Sequence, residues 1–74
     1  MMTFMGMYEI HVKDETFHET VVVRAKDQEA ALELMRANER GGDNFVTQAK
    51  GLFPITEDEA TFLTDRVLCE EMKA

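Results

Sequence analysis

The strongest constraint on this chain is the β-branched run Thr20-Val21-Val22-Val23, whose stiff side chains favour a pleated sheet. Around it, Thr16 to Ala25 reads as a strand. Phe17, Val21, Val23 and Ala25 share one face, and Thr20, Val22 and Arg24 share the other. Glu19 falls on the apolar face near the turn, where the sheet edge leaves it wet. A second alternating segment precedes this one. In Met7 to Lys13, Tyr8, Ile10 and Val12 point one way, and Glu9, His11 and Lys13 point the other. Asp14-Glu15 is a polar break between the two, so the spacing predicts an antiparallel hairpin. Residues 1–6 carry no such pattern. The expected layout is a flexible leader over 1–6 and a single domain over 7–74, with Met1, Met5 or Met7 as the start of translation.

The period then changes. Asp27 is placed to cap a helix whose first-turn amides its carboxylate accepts. Good helix formers follow from Gln28 to Arg40, with Ala31, Leu34, Met35 and Asn38 on one stripe. Gly41-Gly42 suits the end of that helix. Phe45 to Ala49 alternates again, and Leu52-Phe53-Pro54-Ile55 reads as an apolar connector kept off a central strand by Pro54. Thr56-Glu57-Asp58-Glu59 is a capping box, and its three acids complement the positive end of a helix dipole. The spacing predicts a helix from Glu57 to about Met72. Its apolar groups are spread widely, with Ala60, Leu63, Thr64 and Val67 on one side and Phe62 and Cys69 nearly opposite. Packing on one sheet cannot satisfy all of them, so Phe62, Cys69 and Met72 are expected to meet a partner or to be covered by the connector. The fold class is therefore α+β: a small antiparallel sheet in the order β-β-α-β-α, packed with two helices in two layers.

Size and charge narrow the function. The chain has 74 residues, and a domain this small buries only about 60% of its unfolded surface. A lone cysteine, Cys69, makes neither an internal disulfide nor a zinc site, and suits a reducing cytoplasm. Self-association or docking onto a partner is the remaining support. No apolar stretch reaches the ~20 residues of a membrane span. The formal net charge is -7. Six acids against two bases fall in residues 51–74, the most acidic third. Backbone contacts to nucleic acid need clustered Lys and Arg, so direct nucleic-acid binding is not expected. An acidic surface suits a basic protein partner instead.

Catalytic constellations are missing. The chain has no serine, and Gly41-Gly42 runs into Asp43, which would repel a phosphate. Cys69 sits beside Glu70 and Glu71, which disfavour a thiolate. With a two-residue Asp14-Glu15 turn, His11 and His18 would face each other across the hairpin with Glu9 beside them. No third ligand stands at a familiar metal spacing, so they are read as exposed strand residues. No enzyme activity, cofactor or metal is expected. The most distinctive surface is the acidic one on the last helix. Glu57, Asp58, Asp65, Glu70 and Glu71 are the expected partner-binding residues, with Phe62 as the apolar anchor.

The stretch Tyr8-Glu9-Ile10-His11-Val12, then Thr20-Val21-Val22-Val23-Arg24-Ala25-Lys26-Asp27-Gln28-Glu29-Ala30-Ala31, resembles small hairpin-then-helix proteins of phages and plasmids. These include DpnD/PcfM-like domains and compact anti-CRISPR proteins, and the resemblance covers residues 7–35. It implies a mobile-element accessory protein that inhibits a nucleic-acid-handling complex in the host cytoplasm. It carries over no functional residue. The alternative is a small homodimeric structural or assembly protein without inhibitory activity.

Overall fold

A computed structural model describes residues 1–70. The elements run β1 (Met2–Val12), β2 (Glu15–Ala25), α1 (Gln28–Ala37), β3 (Arg40–Gly41), β4 (Phe45–Pro54), α2 (Glu57–Leu63) and β5 (Val67–Cys69). They form an α+β unit with one five-stranded sheet in the order β3-β4-β1-β2-β5. All neighbours are antiparallel except β2 and β5, which are parallel.

β1 lies at the centre, and this explains the largest departure at the N-terminus. Residues 2–6 are not a leader. They pair with β2 from Met2↔Ala25 to Gly6↔Val21, and Phe4 is fully buried. The methionines and Gly6 blurred the alternation that Thr3, Phe4 and Met5 continue. The hairpin forms as expected, but its two-residue turn is Lys13-Asp14, because Val12 pairs with Glu15. Lys13 adopts the left-handed region at φ 56.

Cross-strand partners share a face, so the register sorts the side chains. Phe4, Gly6, Tyr8 and Ile10 lie on the α1 side with Val23, Val21, Glu19 and Phe17. Helix α1 starts where Asp27 Oδ1 accepts the Ala30 N–H at 2.8 Å. It presses Ala30, Ala31 and Met35 onto Phe4, Tyr8, Val21, Val23 and Ala25, which together form the core. Gly6 makes room for this. A Cβ there would stand 2.6 Å from Met35 Sδ and 3.1 Å from Val21 Cγ2. The buried Tyr8 hydroxyl donates to the Met35 carbonyl at 2.6 Å. Burial raises the Tyr8 pKa above its ordinary value.

The helix ends at Ala37, capped by Asn38, before the glycines are reached. Arg40-Gly41 instead pair with Val46 and Thr47 of β4. The expected connector is also part of β4, because Leu52, Phe53 and Pro54 pair with Gly6, Met5 and Phe4. Pro54 is tolerated there because β4 has β1 on one side only at that point.

The last helix is the second correction. α2 stops at Leu63, and Thr64 is fully extended at φ -170 and ψ 155. The acids that favour its start have no basic residue in the last turn to match them. Val67-Leu68-Cys69 then pairs with Val22-Val23-Arg24 as a strand. The wide spread of apolar groups on the expected long helix was thus the signature of a helix that ends and a strand that follows. Val67 and Leu68 alternate between the two faces of the sheet, and Leu68 packs on the core. Met72, expected near the helix end, lies outside the described residues.

Candidate protein-binding surface

α2 crosses the sheet face opposite α1. Its start is fixed by the expected capping box. Thr56 Oγ1 accepts the Glu59 N–H at 3.1 Å, and Glu59 Oε1 accepts the Thr56 N–H at 3.1 Å. Of the seven residues in α2, only Ala60 is buried, at 4% exposure. It closes over the end of the sheet that carries Thr3 and Val22, both buried.

Glu57 anchors this contact. Its carboxylate accepts Arg24 Nε at 3.0 Å and Arg24 Nη2 at 2.8 Å, and also takes the Thr3 hydroxyl. The Arg24 hydrogen bonds, then that of Thr3, lower the Glu57 pKa to about 2. The same pair raises the Arg24 pKa. Glu57 was expected to face a partner. It also bonds to its own sheet, with its side chain still 59% exposed, and ties together residues 33 and 54 positions apart in the chain. No local pattern signals so distant a contact.

Glu70 is also engaged at home. Its carboxylate accepts the Lys26 N–H at 2.8 Å, and its backbone N–H donates to the Arg24 carbonyl at 2.8 Å. Glu71 lies outside the described residues. Four of the expected residues are exposed, Glu57, Asp58, Phe62 and Asp65, and of these Glu57 is held by Arg24 and Thr3. Phe62 is 87% exposed, the most exposed of the large apolar residues among those described. Asp58 lies one helical turn before Phe62, on the same side of α2. Asp65 follows in the loop that leads to β5. Among the described residues, neither aspartate takes part in an ion pair. The site so exposed is one aromatic ring, with Asp58 one turn before it on α2 and Asp65 three residues after it, neither carboxylate in an ion pair among the described residues.

The histidines take a different arrangement from the one expected. The turn register places His18 opposite Glu9 and His11 opposite Thr16. Glu9 reaches both rings, at 2.6 Å to His11 Nε2 and 3.5 Å to His18 Nε2. The hydrogen bond to His11 is the main reason the Glu9 pKa is lowered. Thr16 Oγ1 lies 3.2 Å from His11 Nδ1. Among the described residues, no group of three or more His, Cys, Asp or Glu is arranged to hold a metal ion. Two surface depressions among the described residues lie at the start of α1 beside Lys26, Asp27 and Glu33, and at the Lys13-Asp14 turn. Among the described residues, no helix is long and apolar enough to cross a membrane.

No family model, curated protein or solved structure matches this chain.

Proposed function

We propose that this chain is a non-enzymatic protein-binding module that offers Phe62, with Asp58 and Asp65 beside it, to a basic surface on another protein. The observation that carries this reading is the 87% exposure of Phe62 on a capped helix. An aromatic ring held out by an ordered element loses little freedom on binding, and such rings act as interface anchors. The unpaired carboxylates around it would speed encounter with a basic partner and exclude acidic ones. The resemblance of residues 7–35 to mobile-element proteins adds the finer reading. The partner would be a nucleic-acid-handling complex in the host cytoplasm, inhibited where its basic groove is occupied.

The test is a binding screen of the labelled protein against an array of purified nucleic-acid-handling proteins. Hits are then measured with Phe62→Ala and with the double variant Asp58→Lys, Asp65→Lys. Each is expected to weaken binding by more than about tenfold. Unchanged affinity in both would sink the reading. Glu57 is left intact because its loss would disturb the Arg24 and Thr3 contacts. The alternative homodimer rests on the same exposed ring. It predicts a dimeric mass by light scattering that falls to the monomer in Phe62→Asp.

A further inference from the structure

β2 has two edges, and one of them is open over half its length. Along a strand, alternate residues aim both backbone groups at the same neighbour. Val22 N–H donates to the Arg66 carbonyl at 2.9 Å, and the Arg24 carbonyl accepts Glu70 N–H at 2.8 Å. The Lys26 N–H meets the Glu70 carboxylate. Even-numbered residues of β2 thus face the β5 side, and the pairing with β1 runs from Glu15 to Ala25 with no shift of register. The backbone groups of Thr16, His18 and Thr20 must face that side too. Among the described residues, no strand pairs with β2 there before Val22.

The other exposed edge is guarded over most of its length, with Leu52 left open. On β4, Val46 and Thr47 pair with β3, the Glu39 carboxylate takes the Ala49 N–H at 2.8 Å, and Pro54 has no N–H to offer. An unguarded window of paired donors and acceptors is a template for an added strand. Its side chains supply recognition. Phe17, 49% exposed, stands on one face and His18 on the other. Asp14 and Glu15 lie at one end and Asp65 beyond the other, while Glu19 is paired with Arg66. A strand laid here spans about 17 Å, room for five or six residues. The unpaired charges it would pass are mainly negative, which selects against a second copy of a chain of net charge -7.

We infer that the Thr16–Thr20 edge of β2 takes up an extended, basic segment of a protein partner as an added strand. The inference rests on the reading above for the partner's charge, and on the backbone alone for its mode of binding. Asp65 lies in the short loop that joins the helix of Phe62 to β5, which pairs with β2, so one partner can use the edge and Phe62 together.

The probe is a capped hexapeptide of alternating lysine and valine, with a glutamate–valine peptide as control, titrated into the full chain. Amide hydrogen exchange is read by NMR. The lysine peptide is expected to slow exchange at Thr16, His18 and Thr20 by about tenfold or more, and the glutamate peptide to leave them fast. His18→Pro removes an outward N–H without touching the β1 ladder, and should abolish the protection. Thr16→Pro reads the same edge if that variant does not fold. Phe62→Ala should leave the protection intact. Absence of binding at millimolar peptide, binding without protection of these amides, or a doubled protein mass from self-pairing would each overturn the inference. Protection that survives while Phe62→Ala and the aspartate variants leave array binding unchanged would instead retain the edge and remove the Phe62 surface.

Discussion

On one face of the sheet, Phe4, Tyr8, Val21, Val23 and Ala25 are sealed beneath Ala30, Ala31 and Met35 of α1. On the other, the seven residues of α2 seal little more than Thr3, Val22 and their own Ala60, and an ion pair with Arg24 holds the helix in place. The first face has the shape of a core: large side chains, a glycine that admits a methionine, and a buried hydroxyl with its partner. The second has the shape of a mount. It fixes a short helix at its start and leaves Phe62 outside. Stability should therefore reside on the α1 face, and recognition on the α2 face and the adjoining edge of β2.

Substitutions can break that division, and the largest effect is expected in the core. Phe4→Ala should cost about 3–5 kcal/mol by chemical denaturation, since it empties a fully buried site. A loss this large leaves a domain of this size close to unfolded. Gly6→Ala comes next. Met35 must yield to the new methyl group, and the net cost should be about 1–3 kcal/mol. Tyr8→Phe removes one buried hydrogen bond but leaves the Met35 carbonyl its second donor, the Asn38 N–H at 3.1 Å. Its cost should be about 0.5–1.5 kcal/mol. If any of these matched the effect of a surface change, the α1 face would not be the seat of stability.

A smaller effect tests the mount on the α2 side. The Glu57 pKa is lowered from 4.5 to about 2 in the folded chain. A depressed carboxylate stabilises the fold above its unfolded pKa, and that contribution is lost as pH falls through the folded value. Stability should thus decline from about pH 4.5 towards 2, and Glu57→Gln should remove that part of the pH dependence. Glu9, also lowered, acts with the same sign through its bond to His11, so Glu9→Gln is the needed control. An identical acid limb in Glu57→Gln would show that the Arg24 contact does not hold α2 in solution.

The same two faces differ in how far the sequence revealed them. Thr20 to Val23, the Asp27 cap and the alanine stripe each carry a local signal, and each agreed with the packing that formed. The capping box at Thr56 was equally local and equally legible. What followed it was not. Val67-Leu68-Cys69 is too short to show a period of two, and three residues pair with β2 only because the chain returns to it. Of the candidate site, Phe62, Asp58 and Asp65 were legible as an exposed acidic surface. The bonds that Glu57 and Glu70 make within the fold were not legible, because their partners, Arg24 and the Lys26 amide, are distant in sequence. The leader failed for the reverse reason. Phe4 carries its signal alone among methionines that fit any secondary structure.

Phe62→Ala tests the division most directly, measured for both unfolding free energy and affinity for a partner found on the array. The division of labour predicts stability unchanged within about 0.5 kcal/mol and affinity reduced by more than about tenfold. A stability loss of about 2 kcal/mol or more with affinity intact would make Phe62 a packing residue, and would contradict the reading of α2 as a mount for recognition.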